Sequence, residues 1–280
     1  MLRYLIGFVV IFAAGLGMQT VALRASGGKT LKSESNYFSS IARIQTETKG
    51  GPHVMMLGSS ITGRLGDRAR KIQGVANLGC DGGSAMVTLR AMDQGVLPTA
   101  PVLIIEANTL AYELEGRGKE IGAAIRSNWF HVGFKYPNLG ATARPTAFAY
   151  SWLMARQSEG GLNAGNKTLP VGTKPHVIPQ SMAPALDEKS AALVDEMTEI
   201  FSRLKSRGSQ IFLVMLPGVP KDFPIKEIAL ALACKSGVPW WDLNEGLPVS
   251  EVKFTDGLHM DAATAQKVMN TLQAELMARR

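Results

Sequence analysis

Five short apolar runs alternate with helix-like segments along this chain, and that alternation constrains the fold more than any other feature. The runs cover residues 53–57, 75–78, 101–105, 211–216 and 238–243. The third run is apolar at every position, as in a strand that is covered on both faces of its sheet. Strands that alternate with helices form parallel sheets. The sequence therefore predicts an α/β domain over residues 51–280, with three α/β/α layers and about five parallel strands.

Residues 109–184 interrupt the alternation between the third and fourth runs. This insertion holds an acidic piece (113–122), an aromatic piece that begins at Trp129, a predicted helix (145–156) and a Gly/Pro/Asn-rich loop (159–184). Long insertions near the carboxyl edge of a sheet often act as lids or substrate platforms. Others are structural elaborations or surfaces for a partner. Both interpretations stay open for residues 109–184.

A long uncharged stretch opens the chain. No charged residue lies between Arg3 and Arg24, and a helix of about 20 residues is just long enough to cross a bilayer core. We expect residues 1–24 to form a retained signal anchor, that is, a transmembrane helix. Residues 25–50 then form a tether and a short helix. A cleaved signal peptide is the open alternative, with a weak cleavage site at residues 20–22.

Charge and cysteine content exclude some classes of function. The 280 residues include 30 Lys and Arg against 23 Asp and Glu, and the cations are scattered, which disfavours nucleic-acid binding. Cys80 and Cys234 are too few for a disulfide scaffold, and their apolar settings indicate buried free thiols. One disulfide stays open if the domain lies outside the cytoplasm. No His, Cys and carboxylate cluster has ligand spacing, so we predict no metal and no cofactor.

The first apolar run ends in a sequence typical of a sharp turn from strand to helix. Residues 54–62 are Val-Met-Met-Leu-Gly-Ser-Ser-Ile-Thr. Gly58 permits a sharp backbone turn, and Ser60 then begins a helix beside unpaired amide groups. By itself, Gly-Ser-Ser after a strand is more often a plain helix cap. A functional role for Ser60 therefore depends on the rest of the chain.

A histidine with a nearby acid lies close to the C-terminus. Asp256 precedes His259 by three residues, and Gly257 opens a turn between them. Such a histidine can accept the proton of a serine while the acid holds the ring in one tautomer and stabilises the imidazolium. Asp261 is placed to cap the last helix, which leaves Asp256 for this role.

Three N–H groups are candidates for stabilising an oxyanion. Two are the backbone amides of Ser60 and Gly82, and the third is the side-chain amide of Asn108. Gly82 follows the second predicted strand and Asn108 follows the third. In a parallel sheet these strand ends share one edge with Ser60. A donor of this kind typically contributes about 10²–10³ in rate.

In their order along the chain these blocks resemble the SGNH, or GDSL, hydrolase superfamily. The blocks are Gly-x-Ser after the first strand, Asn-x-Gly-x-x-Gly, a late Asn and Asp-x-x-His, over residues 50–108 and 210–280. Ser59 departs from the family's Gly-Asp-Ser. The resemblance implies an SGNH-like fold. By matching positions it also implies that Ser60 is the nucleophile and that His259 with Asp256 is the general base. The implied oxyanion donors are Ser60, Gly82 and Asn108.

The resemblance also implies a function. In its layout of anchor, tether, domain and insertion, the chain is similar to a membrane-anchored, divergent branch of the family that moves acyl groups in the cell envelope. We therefore expect an esterase or O-acyltransferase that acts on a cell-envelope or carbohydrate ester. Its expected partners are a small-molecule or glycan ester, the membrane and a membrane-bound acyl-transfer partner. The alternative is a non-catalytic envelope scaffold of the same fold that binds glycan or a membrane partner.

The side of the membrane stays open. The resemblance implies an extracytoplasmic, periplasmic domain on a single-pass anchor. However, Arg24, Lys29 and Lys32 follow the apolar stretch and outweigh Arg3, which mildly favours the opposite orientation.

Overall fold

A parallel sheet forms the centre of the molecule. The computed structural model describes residues 1–27, 33–68, 71–157, 165–218 and 225–277. Its strands lie in the order β2-β1-β3-β4-β5, and every neighbouring pair is parallel. They are β1 (Val54–Gly58), β2 (Val75–Gly79), β3 (Val102–Glu106), β4 (Gln210–Met215) and β5 (Trp240–Asp242). The predicted five-stranded parallel sheet is confirmed, with strand ends shifted by one or two residues.

Helices connect and cover these strands. Within the described ranges they are α1 (Leu2–Ala25), α2 (Asn36–Glu47), α3 (Ser60–Arg68), α4 (Met86–Asp93), α5 (Lys119–Ile125), α6 (Asn128–Lys135), α7 (Pro145–Gln157), α8 (Glu188–Ser206), α9 (Ile225–Ser236) and α10 (Ala262–Leu272). Short 3₁₀ turns include Leu110–Glu113, Pro137–Leu139 and Ala141–Ala143.

Alternate strand residues enter two apolar cores, one on each side of the sheet. Met55 and Leu57 of β1 pack in the core that contains α2, α4, α8 and α9. Val54 and Met56 pack in the core that contains α3 and α10. This arrangement is the predicted three-layer architecture, which is therefore confirmed.

Both cysteines lie in the first of these cores as free, buried thiols. Burial raises the pKa of the Cys80 thiol to about 12, so that it stays protonated at neutral pH. The prediction of buried free thiols is confirmed, and neither thiol is a candidate nucleophile.

The insertion is largely helical where the structure describes it. The predicted helix at 145–156 is α7, the aromatic piece forms α6, and part of the acidic piece forms α5. The buried side chain of Gln45 joins the insertion to α2, because its Nε2 donates to the carbonyl of Phe130 and its Oε1 accepts from the amide of Ala141, both at 3.0 Å. Of the predicted loop at 159–184, residues 159–164 lie outside the described residues.

The N-terminal helix is long and apolar enough to cross a membrane. α1 has 24 residues, its most apolar window has a mean hydropathy of 2.0, and it is almost entirely exposed. The predicted short helix after the tether is α2, which has 12 residues. Residues 28–32 of the tether lie outside the described residues.

Candidate active site

Ser60 lies where β1 turns sharply into α3. Close packing around the turn requires glycine at two positions. A side chain on Gly58 would collide with Thr62 and Glu106, and one on Gly79 of the neighbouring strand would collide with the backbone of Gly63. These contacts explain why apolar strands here end in glycine: they allow α3 to begin directly against the sheet edge. The half-buried Ser60 is thereby held at the carboxyl edge of the sheet.

The buried carboxylate of Glu106 holds this turn in place through hydrogen bonds. Oε2 of Glu106 accepts hydrogen bonds from the backbone amides of Ser59 and Thr62, both at 3.0 Å, and from the Thr62 hydroxyl at 2.6 Å. Oε1 accepts from the hydroxyls of Ser59 at 2.8 Å and Thr109 at 2.9 Å. Five donors thus face one carboxylate, so Ser59 and Thr62, which lie before and after Ser60 in the turn, are fixed to the end of β3.

The structure brings together the serine, histidine and aspartate that the sequence singles out. Ser60 Oγ lies 2.9 Å from Nε2 of His259, and Nδ1 of His259 lies 2.7 Å from Oδ2 of Asp256. A carboxylate can only accept, so Nδ1 carries the ring proton and the neutral ring presents Nε2 as an acceptor to Ser60. This geometry allows proton transfer from the serine hydroxyl to the histidine.

The loop that carries His259 is a tight reversal. Phe254 and Met260 form an antiparallel bridge, and the amide of Thr255 donates to the carbonyl of His259 at 2.9 Å. Gly257 takes φ +79°, in the left-handed region that favours glycine. Asp261 then caps α10, as predicted, by accepting from the amide of Thr264 at 2.7 Å. The reversal therefore presents the buried ring of His259 to Ser60.

Asp256 is anchored more firmly than its exposure suggests. Its side chain is 45% exposed, but Oδ1 accepts from the amides of His259 at 2.8 Å and Leu258 at 3.2 Å. Partial burial raises the pKa of the Asp256 carboxyl, whereas these amides and the His259 ring lower it, and the net result is a pKa well below the ordinary value. The carboxylate therefore stays ionised across the neutral and mildly acidic range.

Arg64 contacts the same carboxylate. Its Nη1 lies 3.0 Å from Oδ2, the oxygen that also faces the histidine ring. Both side chains of this ion pair are partly exposed, so its contribution is that of a surface pair, about 0–1 kcal/mol. Arg64 is one turn along α3 from Ser60, and this ion pair joins the helix of the serine to the loop of the histidine.

The candidate oxyanion donors have different surroundings. The side chain of Asn108 is buried and paired with Leu216: Nδ2 donates to its carbonyl at 2.9 Å and Oδ1 accepts from its amide at 2.8 Å. One of the two N–H bonds of Nδ2 is therefore used inside the protein, which leaves one for an oxyanion. Gly82 is exposed at φ +78° and lines an open groove with Tyr37 and Lys119. The roles of Ser60, Gly82 and Asn108 as oxyanion donors stay predictions.

Sequence reasoning missed Glu106 and Arg64. A signal for Glu106 was present, because a single acid that ends an otherwise apolar strand must find donors when buried. Arg64 had no such signal, since α3 carries other polar residues and only the tertiary packing places this one against Asp256. The other histidines, His53, His131 and His176, are exposed.

Within the described ranges, no group of three or more His, Cys, Asp or Glu could hold a metal ion. Searches of protein-family models, of curated proteins and of solved structures find no match to this chain. The residues described above form a hydrogen-bonded Ser–His–Asp triad at the edge of a parallel sheet.

Proposed function

We propose that this chain is a membrane-anchored, serine-dependent acyl-ester hydrolase or O-acyltransferase of the SGNH type. The observation that carries the proposal is the pair of hydrogen bonds from Ser60 to His259 and from His259 to Asp256, at 2.9 and 2.7 Å. Ser60 and His259 are 199 positions apart in the sequence. A helix cap does not require a histidine from the far end of the chain, whereas an activated serine does.

The geometry supports a two-step acyl transfer. Ser60 Oγ attacks the ester carbonyl while Nε2 of His259 takes the hydroxyl proton, and Asp256 stabilises the imidazolium. The tetrahedral intermediate then collapses, the C–O bond to the alcohol breaks, and the alcohol leaves with the proton from Nε2. Water or an acceptor hydroxyl attacks the acyl-serine in the second step, with His259 again acting as base. The bond between the acyl carbon and Ser60 Oγ then breaks, and His259 returns the proton to Oγ. Water gives an esterase and a sugar hydroxyl gives an O-acyltransferase.

The anchor and the resemblance to envelope acyl-transfer proteins together support a substrate in the cell envelope. α1 is long and apolar enough to anchor the domain to a membrane, with the domain proposed on the periplasmic side. A cell-envelope or carbohydrate ester is the substrate class that suits this location, and a membrane-bound acyl-transfer protein is the expected partner for a transferase.

Trapping of the acyl-enzyme tests this proposal. The full chain in detergent is mixed with p-nitrophenyl acetate, quenched in acid and digested, and the acetylated peptide is identified by mass spectrometry. We expect one acetyl group on Ser60, its absence in Ser60→Ala and His259→Ala, and its presence in Ser202→Ala, which changes an exposed serine on α8. Acetylation that persists in Ser60→Ala would refute the assigned nucleophile.

A further inference from the structure

Exposed aromatic side chains are concentrated in the insertion. Outside α1, the large aromatic residues that the described part of the chain exposes are Trp129, Tyr136, Tyr150 and Trp152. We call these four residues the aromatic surface. The exposed fractions of Tyr136 and Trp152 are 52% and 48%, and Val132 and Leu153 are exposed beside them. Trp129 and Val132 lie three positions apart on α6 and therefore share one face of that helix. Exposed apolar residues that share a face commonly mark an interaction site, whereas isolated ones need no explanation.

The elements that carry the aromatic surface lie against α1. The turns Pro137–Leu139 and Ala141–Ala143 and helix α7 all contact α1. Trp129 and Gln19 line one cavity, and Asn138 Nδ2 donates to Thr20 Oγ1 at 3.4 Å. The contacts of Gln19 and Thr20 lie in the C-terminal part of α1, and residues 1–14 are all exposed. The aromatic surface is therefore located at the level of the last turns of α1.

The length of α1 sets the depth of this contact. Its first 13 residues, which the domain leaves free, span about 20 Å at 1.5 Å per residue. A bilayer hydrocarbon core is about 30 Å thick. If α1 crosses the bilayer, about 10 Å of the core must be filled by the part of α1 that packs against the insertion. The adjoining parts of α6 and α7 then lie at the boundary between lipid headgroups and acyl chains. Their depth is comparable with the roughly 5–10 Å to which interfacial segments are buried there.

The tryptophan, tyrosine and lysine residues in and around the aromatic surface suit the boundary between headgroups and acyl chains. Tryptophan and tyrosine are enriched at membrane interfaces because their rings are apolar and their N–H or O–H groups reach water. Cations lie against neighbouring rings: the Lys135 ammonium is 5.5 Å from the centre of the Tyr136 ring, and the Lys49 ammonium is 5.2 Å from that of Phe134. Cations beside such rings can attract anionic headgroups.

We propose that the aromatic surface is embedded at the boundary between the headgroups and the acyl chains of the bilayer that α1 crosses, so that the insertion is a second, monotopic membrane contact. This proposal rests on the proposed anchoring by α1 and not on the proposed chemistry. Its occupant is lipid: the free part of α1 is too short to hold the insertion away from the bilayer.

Tryptophan quenching by brominated lipids tests the proposal. The full chain is reconstituted in phosphatidylcholine–phosphatidylglycerol vesicles whose bromines lie either near the carbonyl end or near the middle of the acyl chain. The chain has four tryptophans, and the two outside the aromatic surface, Trp240 and Trp241, are buried in β5. The double variant Trp129→Phe with Trp152→Phe therefore keeps only buried reporters. Phe12→Trp in that background reports the insertion of α1.

Bromines near the carbonyl end are expected to quench the two surface tryptophans. Wild-type emission should therefore fall to roughly half to three quarters of its value in unbrominated lipid, while the emission of the double variant changes little. The Phe12→Trp protein should be quenched best by mid-chain bromines. Equal, weak quenching of the wild type and the double variant, with strong quenching of Phe12→Trp, would refute the proposal. The aromatic surface would then contact water or a protein partner instead of lipid. Loss of quenching in Phe12→Trp as well would refute the anchoring itself, without bearing on the chemistry of Ser60.

Discussion

Glu106 provides a prediction whose size follows from the structure. Glu106→Ala removes the acceptor of two buried backbone amides, those of Ser59 and Thr62, which cannot reorient. Each buried N–H left unpaired costs about 1–3 kcal/mol, so we expect the free energy of unfolding to fall by about 2–6 kcal/mol. Glu106→Gln should cost less than half as much, because its carbonyl oxygen can still accept from both amides and its amino group can donate to the neighbouring hydroxyls.

Two assays separate the stability of the protein from the geometry of the turn. Urea unfolding of the full chain in detergent, followed by near-ultraviolet circular dichroism, measures the loss of stability. The rate at which a fluorophosphonate labels the folded protein measures the position of Ser60, and we expect it to fall about 10–10²-fold in Glu106→Ala. Glu113→Ala is the matched control, since the side chain of this acid is also buried but pairs with Arg90 of α4 instead of with the turn. It should lose stability but keep its labelling rate. A Glu106→Ala protein of unchanged stability and labelling would refute the argument.

Three further predictions concern the reacting groups. Asn108→Ala should lower turnover about 10²–10³-fold if its remaining N–H binds the oxyanion. It should also lower the free energy of unfolding by about 1–3 kcal/mol, because the buried amide of Leu216 loses its acceptor. Unchanged steady-state kinetics with a loss of stability in urea unfolding would restrict Asn108 to a structural role. Asp256→Asn should lower kcat about 10²–10⁴-fold, whereas Arg64→Ala should change it less than about fivefold, since the ion pair is partly exposed; a larger loss in Arg64→Ala would give that ion pair a catalytic role. The pKa of Asp256 is lowered in the folded state, so ionised Asp256 stabilises the folded protein at every pH above the ordinary aspartate range. This stabilisation is lost only as the pH falls below that range, through the lowered pKa. The pH–rate profile should therefore show no ionisation within the ordinary aspartate range, and one found there that disappears in Asp256→Asn would contradict this.

The fold could be predicted from the sequence because its signals are local. Each strand is a short apolar run, and α8 shows apolar residues at helical spacing up to the glycine that follows it. The insertion was harder to predict. Its helices α5 and α6 have only 7 and 8 residues, which is too short for a clear periodic pattern, and their position depends on the buried Gln45 of a distant helix.

The site could be predicted only in part. Ser60, Asp256 and His259 carry local signals, a glycine turn after a strand and an acid three residues before a histidine, and their meeting follows from the shared edge of a parallel sheet. The sequence contains no comparable signal for the pairing of Asn108 with Leu216, because the pair joins the ends of β3 and β4 through a side chain. For the same reason the contact of Arg64 with Asp256 depends on how α3 packs beside the histidine loop.

Site-mapped labelling by a fluorophosphonate tests the central claim most directly, because the probe needs an activated serine and no knowledge of the substrate. The full chain in detergent is labelled at neutral pH, digested and sequenced by mass spectrometry, beside Ser60→Ala and His259→Ala. We predict a single adduct on Ser60 that is lost in Ser60→Ala and strongly reduced in His259→Ala. A folded wild-type protein that stays unlabelled, or equal labelling of all three proteins, would contradict an activated Ser60. Absence of labelling would favour a non-catalytic scaffold.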